Sequence, residues 1–296
     1  MHVELNTEFD SSDLTGNQPW FFHWILEREK ARNGKEAGLP KPWTLDPIIQ
    51  SYRFCCVRRE HDKVTQWIRT NWREPFDGHP NLGFAMCVAR VFNRTATLDV
   101  IGFPYSVQVD NFESWKQTLR EDLKHYRDKL KMPVFTGAYL VSTNGVSMDK
   151  IDYILDRVLT PIFYEFEPPS VKTLEAYHAA LMKFDGMGSF MAGQVVADLK
   201  YTSYHNLNAA PDWDSFAPIG PGSRRGLNRY FGRALEQHIK TEQVAREIAM
   251  LQLLVRGKLG IELPAHDIQN CLCEFDKHCR VRLGEGRPRS LYSGRD

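Results

Sequence analysis

Along most of the chain apolar residues return every three or four positions, the period of a helix with one face turned inward. Residues 19–37 set Trp20, Trp24 and Ile25 on one side, with Gly38 as a stop. The prolines of LPKPWTLDP disfavour helix, and Asp46 with Pro47 then forms an N-cap and first-turn pair for a short helix reaching Gln50. Residues 58–73 carry Val64, Trp67, Ile68 and Asn71 on one stripe behind an acidic first turn, which predicts one helix. Residues 81–93 are apolar nearly all round, which predicts a buried central helix. Residues 112–130 oppose Trp115, Leu119 and Leu123 to charges at pairing distance. Further helices are expected over 148–159, 171–184, 189–201, 242–258 and 264–280, whereas 136–146 reads as a short strand or an irregular link. With no strong period-two run and no internal repeat, the expected fold is all-α with about ten helices.

One stretch organises the rest: FDGMGSFMAGQVVADL, residues 184–199. Gly186 and Gly188 flank Met187 and permit a turn within about three residues, after which Phe190, Ala192, Val195, Val196 and Leu199 follow helical spacing. The amides of Met187, Gly188 and Ser189 then meet a helix N-terminus, an anion site suited to a phosphate. The plainer alternative is a helix stop followed by another packed helix. Behind the turn, Gln194 and Asp198 are four residues apart and share a helix face, where an amide and a carboxylate can orient a water or bind an amine. Asp212 and Asp214 lie 24 and 26 residues beyond Gly188, on a loop over 202–218 that shows no period. Arg224 and Arg225 follow GPG at a second glycine turn opening a helix, where two guanidiniums can clamp a phosphate or simply cap a surface helix.

Composition narrows the partners. At 296 residues a full core needs no staples, and no apolar run is long enough to span a membrane. With no signal-like N-terminus, a cytoplasmic protein with reduced thiols is expected. Cys271, Cys273, His278 and Cys279 fit neither zinc nor iron–sulfur spacing, so no metal and no cofactor is expected. A net charge of +1 argues against coating nucleic acid by bulk attraction. Two stretches are locally basic, however: 224–240 holds five Lys/Arg against Glu236, and 277–296 holds six against two acids.

FDGMGSFMA resembles the hairpin of the helix-hairpin-helix DNA glycosylases. YRFCCVRREHDKVTQWI, ARVFN, GSFMAGQVVADL, GPGSRRGL and LCEFDKHCRVRLGEGRPRSLY, five blocks in order from about residue 50 to residue 292, together resemble a phage and bacterial DNA base-hypermodification family. That family comprises α-glutamyl/putrescinyl-thymine pyrophosphorylases and the helical domain of hydroxymethyluracil DNA kinases. It is similar in turn to anti-phage DNA glycosylases that excise glucosylated hydroxymethylcytosine. The resemblance implies a helical base-acting domain over 17–283, as one body or as lobes 17–135 and 136–283, between a flexible 1–16 and a basic tail 284–296. It implies a monomer acting on double-stranded DNA with modified bases.

Chemistry on a base within a duplex requires extruding and holding it. On the resemblance, Gly186, Met187, Gly188, Ser189, Arg224 and Arg225 grip phosphates, while Tyr52, Phe54, Arg58, Arg90 and Asn93 surround the base. Apart from the resemblance, each of the latter is more often a core-packing residue or a helix-end hydrogen-bonding group. Asp198 with Gln194, or else Asp214, supplies the carboxylate at the sugar. Phe190 stands where bifunctional glycosylases carry a lysine, so no lyase step is expected. The first expectation is thus a monofunctional DNA glycosylase in phage defence, excising a bulky modified base and leaving an abasic site. The alternative is a transferase displacing pyrophosphate from 5-pyrophosphoryloxymethyluracil with an amino acid or polyamine; a third is a non-catalytic reader of modified DNA. A nucleotide kinase is disfavoured, because GxxxxGKS/T is absent and Gly34-Lys35 closes a helix rather than opening one.

Overall fold

The computed structural model describes residues 10–137 and 141–286, which form thirteen α-helices and no strand. The all-α expectation holds. Residues 1–9 of the expected N-terminal arm, 287–296 of the basic tail and 138–140 of the ambiguous link lie outside the described residues. The chain divides into two compact units, one built from the described residues up to Asp62 and from Asp214 onward, the other from Lys63–Trp213. Position 135/136 falls within the second unit.

Helices α1 (Gln18–Glu36) and α2 (Pro47–Ser51) belong to the first unit. The second unit holds α3 (Lys63–Ile68), α4 (Leu82–Phe92), α5 (Thr95–Ile101), α6 (Phe112–Asp128), α7 (Lys150–Tyr153), α8 (Thr160–Glu165), α9 (Leu174–Leu181) and α10 (Ser189–Leu199). The chain then returns to the first unit with α11 (Pro221–Tyr230), α12 (Thr241–Leu259) and α13 (Ala265–Arg282). Single π-helical stretches at Arg69–Arg73 and Ile154–Leu159 extend α3 and join α7 to α8. No helix among the described residues is long and apolar enough to cross a membrane.

Local chemistry accounts for the element ends. Asp46 caps α2 by accepting from the Ile48 and Ile49 amides at 2.8 and 3.0 Å, with Pro47 in the first turn. α4 stops at Asn93, which adopts φ 45°, and α12 stops at Gly260, which adopts φ 67°. The single helix expected over 58–73 is instead a 3₁₀ turn at Arg59–His61, a break at extended Asp62, and α3. The break follows from tertiary bonds. Asp62 turns back to accept from the Cys56 amide at 3.0 Å, and the Arg59 amide donates to Asp267 at 3.1 Å. The loop read over 202–218 contains a 3₁₀ segment, Tyr204–Ala209, in which His205 and Asn206 take φ 49° and 59°.

In the first unit Phe21 meets Phe22, Tyr230 and Phe275 edge to face, and Leu227, Leu251 and Leu272 close around them. α11 crosses α13 at backbone range. A Cβ on Gly226 would stand 2.0 Å from the Leu272 carbonyl oxygen, and one on Gly222 2.6 Å from Cys273 Sγ. These glycines are four apart and share one face of α11. In the second unit α4 is buried at every position but Phe84, as its apolar sequence requires, and α10 brings Val195 and Val196 into the same core.

Candidate functional site

The stretch singled out in the sequence forms a turn between α9 and α10 in the second unit. The Met187 amide donates to the Phe184 carbonyl at 3.1 Å, and Gly186 takes φ +76° where a Cβ would press on Val141 and Val158 at 3.0 Å. Met187 is buried, whereas Gly188 is exposed and Phe190 is 56% exposed. The start of α10 therefore presents Gly188, with Ser189 half-buried behind it. His178 of α9 braces the turn by donating Nε2–H to the Ser189 carbonyl at 2.9 Å.

Burial lowers the His178 pKa, against the raising pull of its bond to the Ser189 carbonyl. Below pH about 6.5 the unfolded chain takes up a proton that the folded chain resists, so stability falls as pH drops through this range and on to the lowered folded value. In urea unfolding between about pH 7 and about pH 5, His178→Gln is expected to flatten that decline by up to one proton's worth of slope. An unchanged slope would show that His178 does not carry this linkage.

Asp198 projects from α10 into the interior at 1% side-chain exposure. Arg90 of α4 donates Nε to its Oδ2 and Nη2 to its Oδ1, both at 2.5 Å. Arg90 also donates Nη2 to Thr65 Oγ1 at 3.0 Å and Nη1 to Asn93 Oδ1 at 3.2 Å, and Arg73 Nη1 stands 3.8 Å from Asp198. The fold thus brings Arg90, Asn93 and Asp198 together. A bidentate fork occupies both carboxylate oxygens. Gln194, one turn earlier on α10, is buried as well.

Tyr52, Phe54 and Arg58 belong to the first unit, while Arg90 and Asn93 belong to the second. Phe54 is 8% exposed and packs on Trp24 and His278 with ring centroids 6.2 Å away, while Lys277 Nζ sits 4.6 Å over its ring. Tyr52 and Arg58 are half-buried. Asp212 caps α9 by accepting from the Leu174 and Glu175 amides at 2.8 and 2.9 Å. Exposed Asp214 receives Gln252 Nε2 on its side chain at 3.3 Å and the Ala265 amide on its carbonyl at 2.9 Å.

The second glycine turn opens α11, where Ser223 Oγ accepts from the Gly220 amide at 3.1 Å. Arg225, Arg229 and Arg280 converge on buried Asp276, their Nε atoms 3.2, 2.7 and 3.4 Å from its oxygens. Arg229 also pairs with Glu285, and Arg224 and Arg225 each stand 3.7 Å from exposed Glu236. The side chains of Arg224, Arg225 and Arg280 stay 35%, 27% and 36% exposed, so the two guanidiniums held on Asp276 and the neighbouring Arg224 can still meet phosphate oxygens. Arg280 was visible in the sequence only as one charge of a basic stretch; α13's turn places it beside Arg225. Among the described residues no cluster of His, Cys, Asp or Glu is disposed to hold a metal ion.

Residues 18–287 match the family model described as the 5-hmdU DNA kinase helical domain. The chain is 28% identical over 257 residues to the 5-hmdU DNA kinase of Bacillus phage SP10, aligned over 77% of this chain and 39% of that protein. It thus spans about two fifths of that relative's length. No solved structure matches significantly. These matches overturn the expectation of a DNA glycosylase, with its N-glycosidic hydrolysis, abasic product and role in phage defence, in favour of base hypermodification. The carboxylate assigned first to the sugar, Asp198, has both oxygens closed by Arg90.

Proposed function

Since the chain belongs to the DNA base-hypermodification family represented by the 5-hmdU DNA kinase helical domain, we propose that it joins an amine to an activated thymine methylene in DNA. The amine nitrogen bonds to the methylene carbon of 5-pyrophosphoryloxymethyluracil, the carbon–oxygen bond breaks, pyrophosphate leaves with the electron pair, and the new ammonium sheds a proton. The family match across 18–287 carries this reading. Two features support it. Such a displacement consumes no nucleotide, in keeping with a sequence that lacks GxxxxGKS/T. It does need cations for a leaving pyrophosphate or the DNA backbone, and Arg224, Arg225 and Arg280 are suited to either. The partner is duplex DNA bearing the modified base, engaged by one copy of the chain, with the amides at Gly188 and Ser189 available to a backbone phosphate.

A second reading is favoured by the two-fifths coverage of the phage kinase: the helical chain holds 5-hydroxymethyl-substituted DNA for phosphoryl transfer performed by another domain. One experiment separates them. Purified protein is incubated with duplexes containing 5-pyrophosphoryloxymethyluracil, 5-hydroxymethyluracil or thymine, with and without an amino acid or a polyamine, and nucleosides and pyrophosphate are measured by mass spectrometry. Amine-dependent pyrophosphate release with a matching nucleoside adduct is the expected result. Selective retention of the modified duplex without either product would replace the transferase with the binding role.

A further inference from the structure

Asp46 in the first unit does more than cap α2. Its Oδ1 accepts the Ile48 and Ile49 amides, and its Oδ2 accepts Nε2 of both His23 and His278, each at 2.9 Å. Burial alone would raise its pKa, but the His23, His278 and Ile49 donors hold it well below the usual carboxylate range. An ionised carboxylate only accepts, so both Nε2 atoms carry protons and each ring keeps Nδ1 for another partner. His278 is fully buried and its Nδ1 has no hydrogen-bond partner, whereas the His23 side chain is 36% exposed.

Trp20 frames both rings. It meets His23 edge-on at 5.3 Å and stacks on His278 at 6.4 Å, with the Arg282 guanidinium 4.3 Å from its own ring. Further charges near this cluster include Glu27 on α1, which acts on His23 and is itself paired with Lys30, and Lys277 on α13, paired with Glu274. A helix cap requires one carboxylate oxygen, so the convergence of two imidazoles on the other is not explained by capping. A histidine held at one nitrogen by an ionised carboxylate, with the other nitrogen reachable from solvent, is the arrangement by which proteins build a proton acceptor.

We propose that His23 is a catalytic residue whose Nδ1 takes the proton released by the attacking amine, with Asp46 and His278 as positioning residues that set its tautomer and ring orientation. This rests on the transferase reading above. As the nitrogen–carbon bond forms and the carbon–oxygen bond to pyrophosphate breaks, the nitrogen's proton passes to His23 Nδ1 and then to water. Asp46 remains ionised throughout and faces the imidazolium that forms.

The test uses the full chain with 5-pyrophosphoryloxymethyluracil duplex and saturating amine. His23→Gln is expected to slow adduct formation by about 10²- to 10⁴-fold, leave the KM for DNA unchanged, and remove the limb of the pH–rate profile that reports a base. In His23→Ala, added imidazole is expected to restore part of the rate, which a purely structural role would not allow. Asp46→Asn keeps the cap and should give an intermediate loss. If the His23 variants retain the wild-type rate and pH profile, the assignment is overturned while the transferase reading stands. If the wild-type chain forms no adduct with any amine, both fall together.

Discussion

Gly226→Ala is expected to destabilise the first unit strongly. The added Cβ would lie 2.0 Å from the Leu272 carbonyl oxygen and 2.7 Å from its carbon, and both are backbone atoms within a helix, so no rotamer change relieves the clash. α11 and α13 would have to separate, uncovering Leu227, Tyr230, Leu272 and Phe275. Overpacking ordinarily costs about 1–3 kcal/mol, occasionally more, and a backbone-to-backbone crossing belongs at the top of that range. That is a large part of the ~5–15 kcal/mol by which folded proteins are stable. Gly222→Ala supplies the control, because its Cβ meets Cys273 Sγ at 2.6 Å and a thiol can rotate aside. Urea unfolding followed by circular dichroism should show Gly226→Ala losing about 3 kcal/mol or more, with a clearly lowered midpoint, and Gly222→Ala losing about 1 kcal/mol at most. Equal, small losses at both sites would contradict the close crossing.

Asp198→Ala should be at least as damaging in the second unit. It strips the carboxylate from Arg90, whose side chain is 1% exposed, and leaves Thr65 and Asn93 as neutral partners for a buried guanidinium. Removing one member of a buried ion pair costs about 3–5 kcal/mol. Arg73, 3.8 Å from the same carboxylate and 3% exposed, adds a second cation to the loss. The double variant Asp198→Leu with Arg90→Met removes the charges of the bidentate pair and should recover part of the stability, since apolar replacements of buried pairs are often neutral or stabilising, while Arg73 still loses the Asp198 carboxylate. Chemical denaturation of the single and double variants gives the coupling directly. A normally stable Asp198→Ala would mean that the pair does not hold α4 to α10. Loss of activity in a single Asp198 variant has to be weighed against this structural cost.

The helices were legible wherever the apolar period was long. α1, α4, α6, α12 and α13 lie within a few residues of their expected bounds. α5 was missed because Thr95–Ile101 is too short to show a period; it is held by burial of Leu98 and by Thr97 donating to the Val134 carbonyl at 2.9 Å. The helix read over 58–73 failed at Asp62 for the opposite reason, since local propensity yielded to bonds made with residues outside it. The five sequence blocks pointed to the correct family, but the hairpin, taken as a sign of glycosylase chemistry, misled, because a shared turn does not specify a reaction.

Sequence by itself determined the all-α class, the Asp46 cap, the glycine turn at 186–188 and the family, because each depends on residues within a few positions of one another or on ordered blocks of them. Only the tertiary structure decided that Asp198 closes on Arg90, that Gly222 and Gly226 are where two backbones meet, and that Asp46 holds His23 and His278. A buried charge or a bare glycine takes its role from whatever the fold brings against it, and that neighbour is set by packing between helices distant in the chain.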